Sequence, residues 1–434
     1  MKKLNVVAIS AALLVFSAQA QNSRYISLEE AVLTAVENSD NIKIAKLDIK
    51  IANANYRQTD AIFLPQIDLG YTALSTNNPL NAFGFLLQQE SVTQMDFDPA
   101  KLNNPGASQN YNAQIEAKMP LFNLDMVYAR KGAKAQEEMY KYKAQRTKEY
   151  IEFEVKKAYT QLQMAYQAQR ILQESLNDVK QIHSSVSNFY DQGLVQKSDV
   201  LNAQVQVNTI ESALAKASSN IQNASDGLNL LMGGDTEDYV YNVDSLKQQV
   251  TLHQNSTQLA YRSDIMALNK ALDASDMMVK SSKMAFLPRI NAFGSYGWND
   301  DKMFGFKADS YLVGIKMSWN VFSGNQNKSK FQSARFQRDK MQEELNLHLK
   351  QSQMEIYKTK RDLNDSQIEI NKQKSSVEQA AEALRILSNR YREGLVSTTD
   401  LLMAQAQLSK QQLQLSQAVM TYNITEAYLS FLSE

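Results

Sequence analysis

Two long stretches of this chain can be little other than helix. From about residue 125 to 190 there is no proline and one glycine, Gly132, and from about 326 to 391 there is neither. These two residue types most disfavour a helix interior, and a chain of 434 residues with 14 Gly and 6 Pro falls well below average usage of both. Along the first stretch Ile151, Ala158, Ala165, Leu172, Val179 and Val186 recur every seven residues. Along the second, Leu349, Ile356, Leu363, Ile370, Val377, Leu384 and Tyr391 do the same. A sustained heptad with Lys, Glu and Gln between its apolar positions is the pattern of coiled-coil packing. Roughly 65 residues at 1.5 Å rise make a rod of about 100 Å. A globular core does not need such a rod.

The chain is also a tandem duplication. Phe63-Leu64-Pro65-Gln66-Ile67 returns as Phe286-Leu287-Pro288-Arg289-Ile290. Tyr190-Asp191-Gln192-Gly193-Leu194-Val195 returns as Tyr391-Arg392-Glu393-Gly394-Leu395-Val396, and Ser198-Asp199-Val200-Leu201 as Thr399-Asp400-Leu401-Leu402. Gly193 and Gly394 stand where a glycine closes a helix, and Ser198-Asp199 and Thr399-Asp400 read as caps of helices that return over about 198–232 and 399–433. Each long rod is therefore one arm of a helical hairpin. The expected organisation is a first repeat over 21–233, an irregular polar connection over 234–258, and a second repeat over 259–434. The hairpin tips fall at 190–199 and 391–400.

Between the helices lie four stretches of strict alternation. Ile67, Leu69, Tyr71 and Ala73 share one face of a strand over 65–75, and Tyr111, Ala113, Ile115, Ala117 and Met119 one face of its partner over 111–122. The second repeat has Ile290, Ala292, Gly294, Tyr296 and Trp298 over 288–298, then Tyr311, Val313, Ile315, Met317 and Trp319 over 311–322. Period two with one apolar face is the strand signal. Strands of about ten residues suit a tilted span of the outer membrane, and the Tyr and Trp residues suit its interfaces. A half-buried sheet of a soluble domain would alternate in the same way, but nothing else in this chain is available to cover two isolated hairpins. Four strands cannot close a barrel, for which about eight is the minimum, so several chains must share one. A long Asn-rich loop over 76–110 joins the first pair, and a short one the second.

Other features set the compartment and exclude most chemistry. Lys2 and Lys3, the apolar run 4–16 and Ala18-Gln19-Ala20 follow signal-peptide order over 1–20. No cysteine is present, which removes disulfides, thiolate metal sites, cysteine nucleophiles and a lipid-modified N-terminal cysteine. Lys+Arg and Asp+Glu balance at 46 each, so a nucleic-acid partner is not expected. His183, His253 and His348 are scattered, and no nucleotide-binding or hydrolase motif occurs, so no metal, cofactor or enzymatic activity is expected. The 17 Met are spread along helices and read as core.

In order and in duplicate, these residues resemble the TolC-like outer membrane efflux proteins, the outer membrane factors. The resemblance covers essentially all of the mature chain. It rests on Ser27-Leu28-Glu29-Glu30-Ala31, the two F-L-P blocks, Pro120-Leu121-Phe122 and Val321-Phe322-Ser323-Gly324 where strands end, and above all the Y-x-x-G-L-V…D tips. It implies a mostly α fold with a small β part. Long coiled-coil hairpins would form a periplasmic tunnel, and four strands per chain would enter a trimeric twelve-stranded outer-membrane barrel. The implied function is that of a passive, gated exit duct of a tripartite efflux pump or type I secretion system. Its partners would be two further copies, a periplasmic adaptor, an inner-membrane transporter of RND, ABC or MFS type, and outer-membrane lipid. The competing reading is a periplasmic or secreted coiled-coil scaffold without a pore.

The resemblance also assigns roles at the tips. Gly193, Leu194 and Val195, with Gly394, Leu395 and Val396, match the adaptor-binding turns. Asp400 matches an acidic constriction ring, and Tyr391, Asp199 and Ser198 match a tether that keeps the gate closed. Two positions depart from the pattern: Met403 replaces a second acid, and Val396 an arginine of the tether. Met403 could instead form an apolar constriction that gates by dewetting. On local grounds alone Asp199 and Asp400 are helix caps, and both readings stay open.

Overall fold

The computed structural model describes residues 22–235, 239–249 and 259–433; the expected signal peptide, residues 1–20, lies outside them. Helices α1 (Leu28–Asn38), α2 (Asp40–Gln58), α3 (Pro79–Gln88), α4 (Pro99–Asn103), α5 (Leu124–Asp191), α6 (Lys197–Leu231), α7 (Ser263–Met284), α8 (Gln326–Arg392) and α9 (Thr398–Ser433) dominate. The strands are β1 (Asn22–Tyr25), β2 (Gln66–Thr76), β3 (Ser108–Phe122), β4 (Tyr239–Asn242), β5 (Arg289–Asp300) and β6 (Ala308–Ser318). The two breaker-free stretches are single helices of 68 and 67 residues. The chain forms two compact units, one of residues 1–43, 148–255 and 356–432, the other of 44–147, 256–355 and 433–434. Each unit draws on both repeats.

The first unit holds the hairpins. Ile151, Val179 and Val186 of α5 and Ile356, Ile370 and Tyr391 of α8 are buried heptad positions. Val155, Leu162 and Leu176 of α5 occupy the complementary heptad row and are buried as well. At one end Ile26, Ala31, Ala35, Tyr159, Leu228 and Tyr241 close a core in which β1 and β4 pair in parallel. The connection expected to be irregular over 234–258 therefore contains a strand. Its four residues were too few for alternation to register, and the pairing partner is more than two hundred positions away. Gly233 makes the approach possible: its φ is +72°, and a Cβ there would lie 2.1 Å from the Asn38 carbonyl oxygen. The following segment is tied to α9, where the Asn423 amide donates to the Lys247 carbonyl (2.8 Å) and accepts from the Gln249 N–H (3.0 Å).

The second unit holds the sheet. Its order is β2-β3-β5-β6, antiparallel throughout. The two hairpins expected as isolated units are thus joined: β3 of the first repeat pairs with β5 of the second, Ala113 opposite Trp298 and Ile115 opposite Tyr296. In this register the alternating sets of all four strands fall on one face, because Leu69, Ile115, Tyr296 and Tyr311 stand in successive rows. That face is open: Leu69, Tyr311, Val313 and Ile315 are each more than seventy per cent exposed. The strand boundaries shift from those expected. β3 begins at Ser108, and β6 stops at Ser318, where the Trp319 indole N–H turns back to the Phe286 carbonyl (2.9 Å). The 76–110 loop contains α3 and α4. Asn78 caps α3, Asp98 caps α4, and each helix carries Pro in its first turn, where the missing N–H costs nothing. The Gln89 side chain, buried, donates to the Gln109 carbonyl (2.7 Å) and Asn110 Oδ1 (3.0 Å), and Asn110 in turn to Asn299 Oδ1 (3.0 Å).

Charge pairing in this unit makes a pH prediction. Glu137, 4% exposed, accepts from Lys134 and Lys141 at 2.9 Å each and from Asn53 at 3.2 Å. Chiefly the Lys134 bond, then Lys141, holds its carboxyl down to about 2. A carboxylate depressed on folding contributes stability above its ordinary pKa and loses it as pH falls through the folded value. Thermal stability is therefore expected to fall between about pH 4.5 and 2, and Glu137→Gln to flatten that fall. Parallel melting-temperature profiles for the two proteins would show that the triad does not contribute.

Candidate docking and gating site at the helical tips

Each long helix stops in the same way. Gly193 and Gly394 take φ of +75° and +72°, the left-handed conformation that glycine adopts without a Cβ clash. The Leu194 N–H returns to the Phe189 carbonyl (2.9 Å) and the Gly193 N–H to Tyr190 (2.8 Å), with Leu395 to Arg390 (2.9 Å) and Gly394 to Tyr391 (3.0 Å) at the other tip. These are Schellman closures. The apolar pair after each glycine divides. Val195 and Val396 turn inward onto a core of Val186, Tyr391 and Leu401, while Leu194 and Leu395 stay 68% and 65% exposed. The Leu-Val pair is thus split, because the turn sends successive side chains to opposite sides.

The returning helices begin earlier than Ser198 and Thr399. α6 is capped by Gln196, whose backbone N–H donates to Asp199 Oδ2 (3.0 Å) in a capping box. At α9 the Ser397 N–H and hydroxyl both donate to Asp400 Oδ2 (3.1 and 2.7 Å), and Ser397 Oγ accepts from the Asp400 N–H (3.1 Å). Asp199 and Asp400 are therefore the third residues of capping boxes, and the capping side chains are Gln196 and Ser397. The signal was visible three residues upstream of each Asp, as S-x-x-D at the second tip. The Ser397 hydroxyl, then its amide, holds the Asp400 carboxyl below the usual carboxylate range.

Tyr391 is buried in its own chain. Its phenol oxygen lies 3.1 Å from Thr398 Oγ1, and its ring meets Phe189 of the first hairpin at 5.7 Å. Burial raises its pKa and Thr398 lowers it less, while the nearby Asp199 charge raises it further. Tyr391 and Asp199 line one groove of about 800 Å³ between the two tips. Phe189, Val195 and Val396 give that groove an apolar wall, with Arg392 and Glu393 also on it. Ser198 turns instead to the Gln196 side chain at 3.4 Å. Asp400 and Met403 stand apart from the groove, one helical turn apart on α9. Both are exposed, Met403 by 58%, whereas Leu401 and Leu402 between them are buried.

The helical part also holds a cluster that the scattered histidines did not disclose. Arg262, 4% exposed, grips Asp264 through two nitrogens (2.8 and 2.6 Å) and reaches Ser352 Oγ (2.9 Å). His348 Nε2 lies 2.9 Å from the same carboxylate. Burial works to raise the Asp264 pKa, but bonds from Arg262 and His348 outweigh it and hold the carboxyl well below the ordinary range. Among the described residues no group of three or more His, Asp or Glu is placed to hold a metal ion, and no helix is long and apolar enough to cross a membrane.

Comparison with known proteins agrees with both features, the long hairpins and the open apolar sheet. The cation efflux system protein CusC of Escherichia coli K12 is 25% identical over 393 residues, 86% of this chain and 79% of its own length. SilC of Salmonella typhimurium, described as a probable outer membrane lipoprotein, is 21% identical over 392 residues, 86% of this chain and 78% of its own. Among solved structures, CusC superposes with a TM-score of 0.80 at 17% identity, covering 95% of this chain and 93% of that one. The outer membrane protein VceC of Vibrio cholerae superposes with 0.76 at 20% identity, covering 94% and 96%. The family model for outer membrane efflux proteins matches residues 32–234 and 255–433. Matched across both repeats, the chain belongs to the outer membrane efflux protein family and is an efflux channel of the outer membrane.

Proposed function

We propose that three copies of this chain form one gated exit duct, a twelve-stranded barrel in the outer membrane continued by a helical tunnel through the periplasm. The observation that carries this reading is the sheet. It has four strands, one continuous apolar face, and two edge strands of 11 residues, β2 and β6, whose outer edges pair with nothing among the described residues. Long bare edges beside exposed apolar rows are an aggregation liability in a monomer. They are resolved if β6 of one copy pairs with β2 of the next, and three times four strands exceeds the minimum for closure. Each copy then supplies a third of the wall, two strands from the first repeat and two from the second.

The duct does no chemistry and is opened from below. A periplasmic adaptor docks at Gly193, Leu194 and Val195 and at Gly394, Leu395 and Val396, and an inner-membrane transporter of RND, ABC or MFS type supplies the energy. Asp400 and Met403 from three chains narrow the closed end, and Tyr391, Asp199 and Ser198 restrain it. Tyr391 and Asp199 share the groove between the tips, while Ser198 is turned to its own cap. The cation efflux proteins among the relatives favour a cationic cargo.

Mass measurement of the detergent-purified protein tests the assembly, and planar-bilayer conductance tests the pore. A trimeric mass with discrete conductance steps is the expected result. A monomer that is soluble without detergent and does not conduct would return the pore-less scaffold. The lipid face has its own test. Ile315→Arg is expected to destabilise the inserted barrel by about 2–4 kcal/mol, the cost of arginine near the bilayer midplane. Lys316→Gln, on the opposite face, should leave stability nearly unchanged and alter ion selectivity. Equal effects on stability would mean that the apolar face does not meet lipid.

A further inference from the structure

The β5–β6 connection reads Lys302-Met303-Phe304-Gly305-Phe306-Lys307, an apolar run between two lysines. It folds down over the apolar face of the sheet. Phe304 stacks on Tyr71 at 5.4 Å, and its N–H donates to the Tyr71 hydroxyl (2.9 Å). Phe306 meets Trp298 edge-on at 6.1 Å, and Trp298 meets Tyr296 at 4.9 Å. Tyr71 and Trp298 lie in one row, each paired with Ala113. Met303, Phe304 and Phe306 nevertheless remain 62%, 65% and 58% exposed.

The loop is held in this shape at some cost. Phe304 has φ of +59°, a left-handed conformation that strains a bulky L residue and, when maintained, points to function. Asp300, buried, accepts from the Lys302 N–H (3.0 Å) and the Lys307 N–H (3.1 Å) and so pins both ends. A Cβ on Gly305 would fall 2.1 Å from Asp300 Oδ2, so any larger residue there would displace the carboxylate that pins the loop. Three large, largely exposed apolar side chains on a loop braced by a buried carboxylate are not an unguarded loop.

We propose that residues 302–307 are a lipid hook, with Met303, Phe304 and Phe306 in the acyl boundary of the outer leaflet and Lys302 and Lys307 at the phosphates of its lipids. The inference rests on the sheet spanning the outer membrane, which puts the hairpin ends outside, opposite the ends that continue into helices. The hook then continues the lipid-facing surface one layer outward. Aromatic side chains are favoured at that depth, and flanking lysines can lie along the apolar surface with their charge at the headgroups. Both lysines are exposed, and neither closes an ion pair among the described residues. Of the neighbouring acids, Asp300 is engaged by backbone, Asp309 accepts from the Tyr296 hydroxyl (2.6 Å), and Asp301 is exposed. The partner that matches this chemistry is a phosphorylated outer-leaflet glycolipid.

The absence of cysteine allows a clean test. Met303→Cys, Phe306→Cys and, as an aqueous reference, Lys410→Cys are nitroxide-labelled in the full chain and reconstituted in phosphatidylcholine vesicles containing bis-phosphorylated lipid A. Labels at 303 and 306 are expected to collide more with oxygen than with a water-soluble nickel chelate, and the label at 410 the reverse. In native mass spectrometry, retention of lipid A over phosphatidylcholine should fall about fivefold for each lysine removed in Lys302→Gln and Lys307→Gln. Water-like collisions at both hook positions, in protein that still conducts in planar bilayers, would overturn the hook and leave the duct intact. Unchanged lipid A retention in the double variant would overturn the phosphate contact.

Discussion

Replacing Leu194 and Leu395 together by Asp is expected to abolish export while the oligomer assembles as before. Both side chains follow a Schellman glycine and stand about two-thirds exposed, outside the tip core. Exposed substitutions of this kind usually change stability by no more than about 0.5 kcal/mol. What the variant loses is apolar area presented at an aqueous tip, where only a partner can bury it, and it gains a charge that partner would have to desolvate. The adjacent valines supply the contrast. Val195→Asp with Val396→Asp places charge against Val186, Tyr391 and Leu401, so it should damage the tip itself. Export in a complemented deletion strain, read beside the oligomer on a native gel, separates the two cases. Normal export by the leucine variant would remove the docking role from these turns.

The second large effect is expected at Asp400. If three copies line a constriction, Asp400→Ala should raise single-channel conductance and reduce cation preference, because a ring of like charges attracts cations and disfavours anions. Asp400 is also half of a capping box, so loss of the side chain could act through the helix start alone. Asp400→Asn distinguishes the two: it removes the charge but keeps an acceptor for the Ser397 amide. Changed selectivity in both variants assigns the effect to charge, whereas a change in Ala alone assigns it to the cap. The Ser397 bonds hold the carboxyl low, so the cap persists above the ordinary carboxylate pKa and weakens as pH falls through the depressed value. Cation preference should decline over the same acidic range. Met403, the next exposed residue on that face, should set how fully the pore dewets, with Met403→Ser raising the closed-state current.

Much of this molecule is written locally. The lack of Gly and Pro over two stretches, the heptad rows, the period-two faces and the Gly-Leu-Val turns each act within a few residues of sequence. They determine the two long helices, four of the six strands among the described residues, and both tips. Caps were misjudged by two or three residues, since Gln196 is an uncommon cap and Ser397 lay one step outside the aligned motif. The buried row Ser352, Thr359 and Ser366 escaped notice because its residues are polar. Small hydroxyls can be buried when a backbone carbonyl or a charged side chain satisfies them, as Leu363 does for Ser366 and Arg262 for Ser352.

Tertiary structure decided the rest, and for the pairings between elements the partner was distant. Pairing of β3 with β5 crosses the boundary between repeats and turns two hairpins into one sheet. The pairing of β1 with β4, and the meeting of His348 with Asp264, join residues 84 or more positions apart. Whether Val396 or Leu395 faces the core depends on the handedness of a closed turn, and whether residues 302–307 lie over the sheet depends on Asp300 reaching two amides. Sequence by itself determined which elements form, because helix and strand periodicity are properties of neighbouring residues. Which faces meet, and which stay open to a partner or to lipid, is determined only when the chain brings remote residues into register.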